Sequence, residues 1–188
     1  MLIVVVIIGI LAAALMPRLQ GAQASARDTT RKTWITQLMQ GLEIYNTNLG
    51  YYPGSITEAG VDASVLVTDL VTEHEYMKNI PADPNKKQIA KAKINATEKA
   101  FSEWQFGVVA VKKNGTPKNG VILIAKVETP EAANRTKSIP IGDSSFELMN
   151  IKTCGSFKKG TTTTAQPSTN NAECQYTTKE DLLFIQPL

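Results

Sequence analysis

The sequence predicts an α+β chain in which one long N-terminal α-helix lays its rear half on an antiparallel β-sheet of about four strands. Three observations carry this prediction. The first sixteen residues hold no charge and no hydrogen-bonding side chain, an amphipathic stripe at helical spacing follows them, and from residue 104 the chain changes to β-branched runs separated by turn signals. Charged residues make up 20% of the 188 and none lies in the first sixteen, so the start of the chain avoids water while the rest suits it. The remaining roughly 140 residues are enough for one domain with a core of its own. The chain therefore divides into a hydrophobic stem (1–24), the amphipathic half of the same helix (25–50), and a globular β-sheet domain (51–188) that carries a cysteine loop (154–174).

The opening run MLIVVVIIGILAAALM is about 24 Å long as a helix, somewhat short of the about 30 Å hydrocarbon core of a bilayer. No basic segment precedes it, as a secretory signal peptide would require, although Ala12-Ala13-Ala14 imitates a cleavage site. Arg18, Arg27, Arg31 and Lys32 all follow the run, and the positive-inside bias would hold the domain in the cytoplasm. The cysteines argue for the outside, and the two demands agree if a few residues and a basic leader precede Met1. An interior Gly costs about 1 kcal/mol and an interior Pro about 3 kcal/mol relative to Ala, which makes Gly9 and Pro17 the weak points of the helix.

Beyond Pro17, Trp34, Leu38, Leu42, Tyr45 and Leu49, with Ile35 and Met39 beside them, recur at steps of three and four and mark one face; Thr33, Thr36, Gln37, Gln40 and Glu43 take the other. Trp34, Leu38, Leu42 and Tyr45 are read as the helix-to-sheet core. The helix is expected to end at 48–50, where Asn and Gly accept a left-handed cap. Val61, Val65, Leu66, Leu70 and Met77 allow a short second helix over 61–78 with Asp62 as its cap. The lysine-rich stretch 86–99 has no firm period and is expected to be a solvated loop or exposed helix.

From Trp104 the texture changes. Segments 106–111 and 121–127 are β-branched and flank Asn-Gly pairs at 114 and 119, an antiparallel hairpin signal. TPEAANR (129–135) offers a single helical turn, and 146–151 and 182–185 are expected to complete the sheet.

Cys154 and Cys174, with the single histidine far off in sequence, do not make a four-ligand metal set; a disulfide fits better, and two buried free thiols are the alternative. A disulfide places the domain in an oxidising space outside the cytoplasm and contributes about 3 kcal/mol by closing its loop. The residues between the cysteines are expected to form an irregular solvated loop. Thr161 to Thr164 and Ser168 are candidate sugar acceptors, as are Asn95 and Asn134 in Asn-X-Thr triplets.

Chemistry is sparse. His74, between Glu73 and Glu75, reads as exposed polar surface or a chance metal contact, and neither a phosphate-binding glycine loop nor a nucleophile elbow is present. No catalytic, cofactor-binding or metal site is assigned. A net charge of +3 without a basic stripe argues against specific nucleic-acid binding.

LIVVVIIGILAAALMPRLQGAQASA resembles the stem of type IV pilins and of the related pseudopilins of type II secretion, with Gly9 and Pro17 at family-typical places. NLGYYPGS (48–55), EYMKNIPADP (75–84) and WQFGVVAVKKNG (104–115) are similar to later family segments. The family's basic leader, Gly-Phe type junction and following Glu are not seen before Met1. The resemblance implies a pilin-like fold and a stem held in the cytoplasmic membrane until an ATP-driven assembly machine moves it into a helical homopolymer. Leu2, Val5, Ile8, Gly9, Ala12, Ala13, Leu15 and Met16 would pack the core of that polymer, helix would be lost between Gly9 and Pro17, and the cysteine loop would form outer filament surface. The expected function is an extracellular pilus subunit for adhesion, twitching motility or DNA uptake. A type II secretion pseudopilin is the alternative within the family, favoured by Tyr51-Tyr52-Pro53 and Ile80-Pro81-Ala82-Asp83-Pro84, although the acidic calcium loop of the major pseudopilins is not evident. The alternative from another class is a membrane-anchored binding module that never polymerises.

Overall fold

The computed structural model describes residues 2–85, 89–94, 97–102, 105–138, 141, 151–164, 167 and 169–188. Met1, Trp104, Asn95, Ser168 and nearly all of the expected strand at 146–151 lie outside the described residues. The fold is α+β. A 48-residue helix, α1 (Leu2–Leu49), runs unbroken through Gly9 and Pro17 and is about 72 Å long. It stops where expected: Gly50 adopts φ +82°, and its amide donates to the Asn46 carbonyl at 2.7 Å.

Among the described residues nine strands follow. In chain order they are β1 (Val61–Asp62), β2 (Lys91–Ile94), β3 (Thr97–Ala100), β4 (Gly107–Lys113), β5 (Thr116–Lys126), β6 (Arg135–Thr136), β7 (Cys154–Lys159), β8 (Ala172–Tyr176) and β9 (Leu182–Pro187). Five of them form the main sheet in the order β1-β4-β5-β9-β6, antiparallel throughout; β4, β5 and β9 are expected from the sequence, and β1 and β6 are additions. Both additions are two-residue edge strands, too short to leave a periodic signal. The β4–β5 hairpin turns at Asn114-Gly115, with φ 51° and 79°, between the paired Lys113 and Thr116. Two left-handed central residues match a type I′ turn. Asn119-Gly120, the other expected turn, instead lies in β5 beside an irregularity in register, next to Lys118 at φ 58°.

The rear half of α1 covers one face of this sheet. Ile35, Leu38, Leu42 and Tyr45 are buried together with Val108, Ala110, Val121 and Leu123, and Trp34 meets Phe106 edge-on with ring centroids 6.3 Å apart. On the opposite face Val109, Val111, Ile122 and Ile124 pack on Ala92, Ile94 and Phe101. Part of 86–99 is therefore not a solvated loop or helix: β2 and β3 pair as a hairpin that covers the second face, with Ala90, Ala92 and Ile94 buried. Two covered faces explain why VVAV and VILIA read as continuous apolar runs instead of alternating ones.

The expected helix over 61–78 is also corrected. Val61 and Asp62 pair with β4, and only Ala63–Val65 (a 3₁₀ turn) and Val67–Glu73 (a wider π-type segment) are helical. Asp62 does not cap them, because its carboxylate accepts the amide (2.8 Å) and hydroxyl (2.7 Å) of Ser102. Over 129–135 the chain makes a short turn, with the Ala132 amide on the Thr129 carbonyl and the Ala133 amide on the Pro130 carbonyl, both at 3.2 Å.

Candidate functional site

The stem stands clear of the domain. Leu2 is 79% exposed, Val5 69%, Ile8 60%, Leu15 63% and Met16 65%; Gly9, Ala12 and Ala13 are exposed as well, and Pro17 continues the helical backbone. The first residue of α1 buried against the domain is Ala24. Twelve large apolar side chains between Leu2 and Leu19 are exposed, and burial of each stabilises by about 1.5–3 kcal/mol. Such a surface requires a cover, either lipid or protein. By length and composition α1 can cross a membrane.

Where the stem meets the domain, a buried ionic network fixes the helix. Arg31 is fully buried and donates through Nε (2.7 Å) and Nη2 (2.9 Å) to both carboxylate oxygens of Asp83, and through Nη1 to Asp28 at 2.6 Å. Nη1 also lies 2.9 Å from Glu128 Oε1. Arg27 grips Glu128 in turn, through Nε at 2.8 Å and Nη2 at 2.5 Å. Two cations thus face three carboxylates. The balance is made up by neutral donors: Asp28 accepts the amides of Glu128 and Thr129 and the Thr129 hydroxyl, the last at 2.7 Å. Burial acts to lower the Arg31 pKa, but the hydrogen bonds and charges of Asp83, Asp28 and Glu128 outweigh it and raise it further. Hydrogen bonding from Arg27, with Arg31 assisting against burial, holds the Glu128 carboxyl down at about 2. Helix α1 is thereby joined to the 81–85 segment and to the turn after β5.

From sequence, Arg27 and Arg31 read only as orienting charges, and nothing local connects Asp83 or Glu128 to them. A signal was present. Ala24, Asp28 and Arg31 extend the stripe of Ile35, Leu38 and Leu42 backwards at helical steps, which puts an ion pair on a face destined for burial.

No family model, curated protein or solved structure matched the chain.

The cysteines are joined: Cys154 and Cys174 form a disulfide with a Cα–Cα distance of 5.7 Å, and both are buried. They sit in β7 and β8, which pair in parallel, so the ends of the supposed loop are regular structure. Buried Asp181 anchors the middle. It accepts the hydroxyls of Thr163 (3.0 Å) and Thr177 (2.7 Å) and the amides of Thr177 and Thr178, with Lys137 Nζ 3.3 Å away. Although burial acts to raise its pKa, these hydrogen bonds hold the Asp181 carboxyl well below the ordinary range.

Two other candidates resolve into structural roles. The Asn134 side chain donates to the Ile185 carbonyl (2.7 Å) and accepts the Ile185 amide (2.8 Å), tying β6 to β9, so the amide a sugar would need is already engaged. His74 is half-buried, stacked on Tyr76 at 5.3 Å and edge-on to Tyr45 at 5.2 Å. Among the described residues no three His, Cys, Asp or Glu side chains converge to hold a metal ion.

Proposed function

We propose that this chain is the structural subunit of an extracellular type IV pilus, with a pilin-like fold, held in the cytoplasmic membrane by its stem before assembly. One observation carries the reading: an exposed apolar stem continues, without a break in the helix, into a half clamped to the domain by a core stripe and buried ion pairs. An anchor that only tethered a domain would work through a flexible linker; a rigid continuation serves to transmit position and load. In the membrane the stem is covered by lipid, and in the filament by the stems of other copies, so apolar surface stays dry in both states. Association then depends on close packing around Gly9, Ala12, Ala13 and Ala14 instead of new hydrophobic burial. The pilus assembly machinery supplies the work of extraction, and the Gly9 to Pro17 segment loses helix in the polymer. The chain acts by packing and not by catalysis.

Purified surface fibres test this reading. Fibres composed of this chain, with residues 2–16 retained by mass and N-terminal sequencing, support it. Finding only membrane-bound monomers favours a non-polymerising binding module, and shedding of the stem from the mature protein overturns the proposal. Short periplasmic assemblies without surface fibres favour the pseudopilin alternative, for which Tyr51-Tyr52-Pro53 and the 80–84 segment, which carries the Arg31 partner Asp83, are the points of likeness.

A further inference from the structure

Near its C-terminal end α1 has a buried glycine, and a sulfur atom lies against it. A Cβ at Gly41 would stand 2.6 Å from Met77 Sδ and 2.8 Å from Met77 Cγ, with Leu70 Cδ1 next at 3.6 Å. Any larger side chain at 41 displaces the thioether, so the glycine makes the seat and Met77 fills it.

Met77 belongs to residues 74–79, a segment with no helix or strand of its own. It is tied down locally. The Met77 amide donates to the Leu70 carbonyl at 2.9 Å, and the Tyr76 hydroxyl accepts from Asn48 Nδ2 at 3.0 Å while its ring meets Tyr45 edge-on, with centroids 6.2 Å apart. Just before these contacts Glu75 is held at φ 51°, a left-handed conformation that is strained for a long side chain. The strain persists only while the segment stays docked.

The sulfur is also within reach of solvent. Met77 is half-buried and forms part of the wall of an open groove of about 290 Å³ between α1 and this segment, lined as well by Gln37, Gln40, Ile44, Lys78 and Asn79. On its other side it faces helix backbone, whose amides are engaged within α1, and apolar Leu70. A thioether suits that seat because it is flexible and apolar; a sulfoxide does not, because its oxygen needs a hydrogen-bond donor.

We propose that Met77 is a peroxide-sensitive modification site whose sulfoxide releases residues 74–79 from α1. The thioether sulfur attacks one oxygen of hydrogen peroxide. The S–O bond forms as the O–O bond breaks, sulfur loses two electrons, and the second oxygen takes up the proton of the first and leaves as water. To hydrate the new oxygen the side chain lifts from Gly41 into the groove, and the lift relaxes Glu75 and draws Tyr76 off Tyr45, which is otherwise 5% exposed. Nothing in this chemistry depends on whether copies of the chain polymerise.

The test treats the full chain in detergent with graded hydrogen peroxide, follows each methionine by peptide mass, and follows residues 74–79 by amide hydrogen exchange. Met39 is half-buried and Met16 is exposed on the stem; neither lines the groove, and both serve as internal comparisons. Met77 should be oxidised before Met39, and its sulfoxide should speed exchange across 74–79 by about tenfold, as expected for a polar atom placed in an apolar seat, while β4 and β5 keep their protection. Met77→Leu refills the seat without a sulfur to oxidise and should hold the slow exchange at every peroxide dose, whereas Met77→Gln should give the fast exchange with no peroxide at all. Met77 that stays reduced while Met16 is fully oxidised overturns the proposal, as does Met77 sulfoxide with unchanged exchange across 74–79. The same peroxide-driven opening in Met77→Leu places the responsive sulfur elsewhere and also overturns it. Equal loss of protection in β4 and β5 makes the effect general unfolding, and the local release falls.

Discussion

Arg31 has lost all its water and faces three carboxylates, so its removal leaves negative charge buried without compensation. Arg31→Ala should therefore cost about 3–5 kcal/mol in denaturant unfolding of the full chain in detergent. Arg27→Ala, at a side chain one-third exposed, should cost about 1 kcal/mol or less. Acid reads the same network. Glu128 is held at about 2 against an ordinary value near 4.5, so the folded state favours its ionised form. That stability is complete above pH 4.5 and is lost as the pH falls towards 2, and the lowered Asp181 carboxyl acts in the same direction. The Tm should thus decline below pH 4.5, and Glu128→Gln should give a lower Tm at neutral pH with a flatter acid limb. A Glu128→Gln profile that still parallels the parent would assign the acid sensitivity elsewhere. At this scale the sequence was legible where side chains are apolar: Leu38, Leu42 and Tyr45 lie in the core as their spacing implied. Asp28 and Arg31 occupy the same stripe but do not read as core, because a charged side chain is normally assigned to water and two of the three carboxylates that make the burial of Arg31 tolerable come from 52 and 97 positions away, which no local pattern relates to it.

The long helix and the β4–β5 hairpin could be read directly, since helical period, an Asn-Gly turn and β-branched runs are local signals. Two other elements could not. The β2–β3 hairpin is four residues a side and rich in lysine; it exists because the sheet needs a cover for its second face, and Ala92 and Ile94 are too few to announce a strand. Likewise β7 and β8 pair in parallel across sequence whose composition favours disorder, with their register held by the Cys154–Cys174 bond and by the Asp181 anchor. Double replacement of Cys154 and Cys174 by Ala should therefore lower stability by about 3 kcal/mol and open 160–171 to protease before the rest of the domain. Equal cleavage rates across the domain would mean that the disulfide does not hold this region locally. In the helix, Leu38→Ala should cost about 2–5 kcal/mol, measured by the same denaturant titration.

Taken as a whole, the molecule is a rod fixed to a three-layer domain, with α1, the main sheet and the β2–β3 hairpin stacked in that order. The two parts have separable energetics. A charge in the stem, such as Val5→Lys, should leave the unfolding midpoint of the domain unchanged in detergent, and on the proposed function it should weaken membrane retention and fibre formation; a matching fall in the midpoint would show that the stem contributes to domain stability. The arrangement of the main sheet has a further outcome for biogenesis. The latest strand in sequence, β9, lies in the interior of the sheet between β5 and β6. Until that strand has been synthesised and released, β5 has one naked edge along Ile122, Leu123 and Ile124, a template for wrong partners. The domain therefore cannot mature piecemeal as it emerges. It has to wait for its tail, and a chaperone that shields this strand during the delay would raise the yield of correctly folded chains.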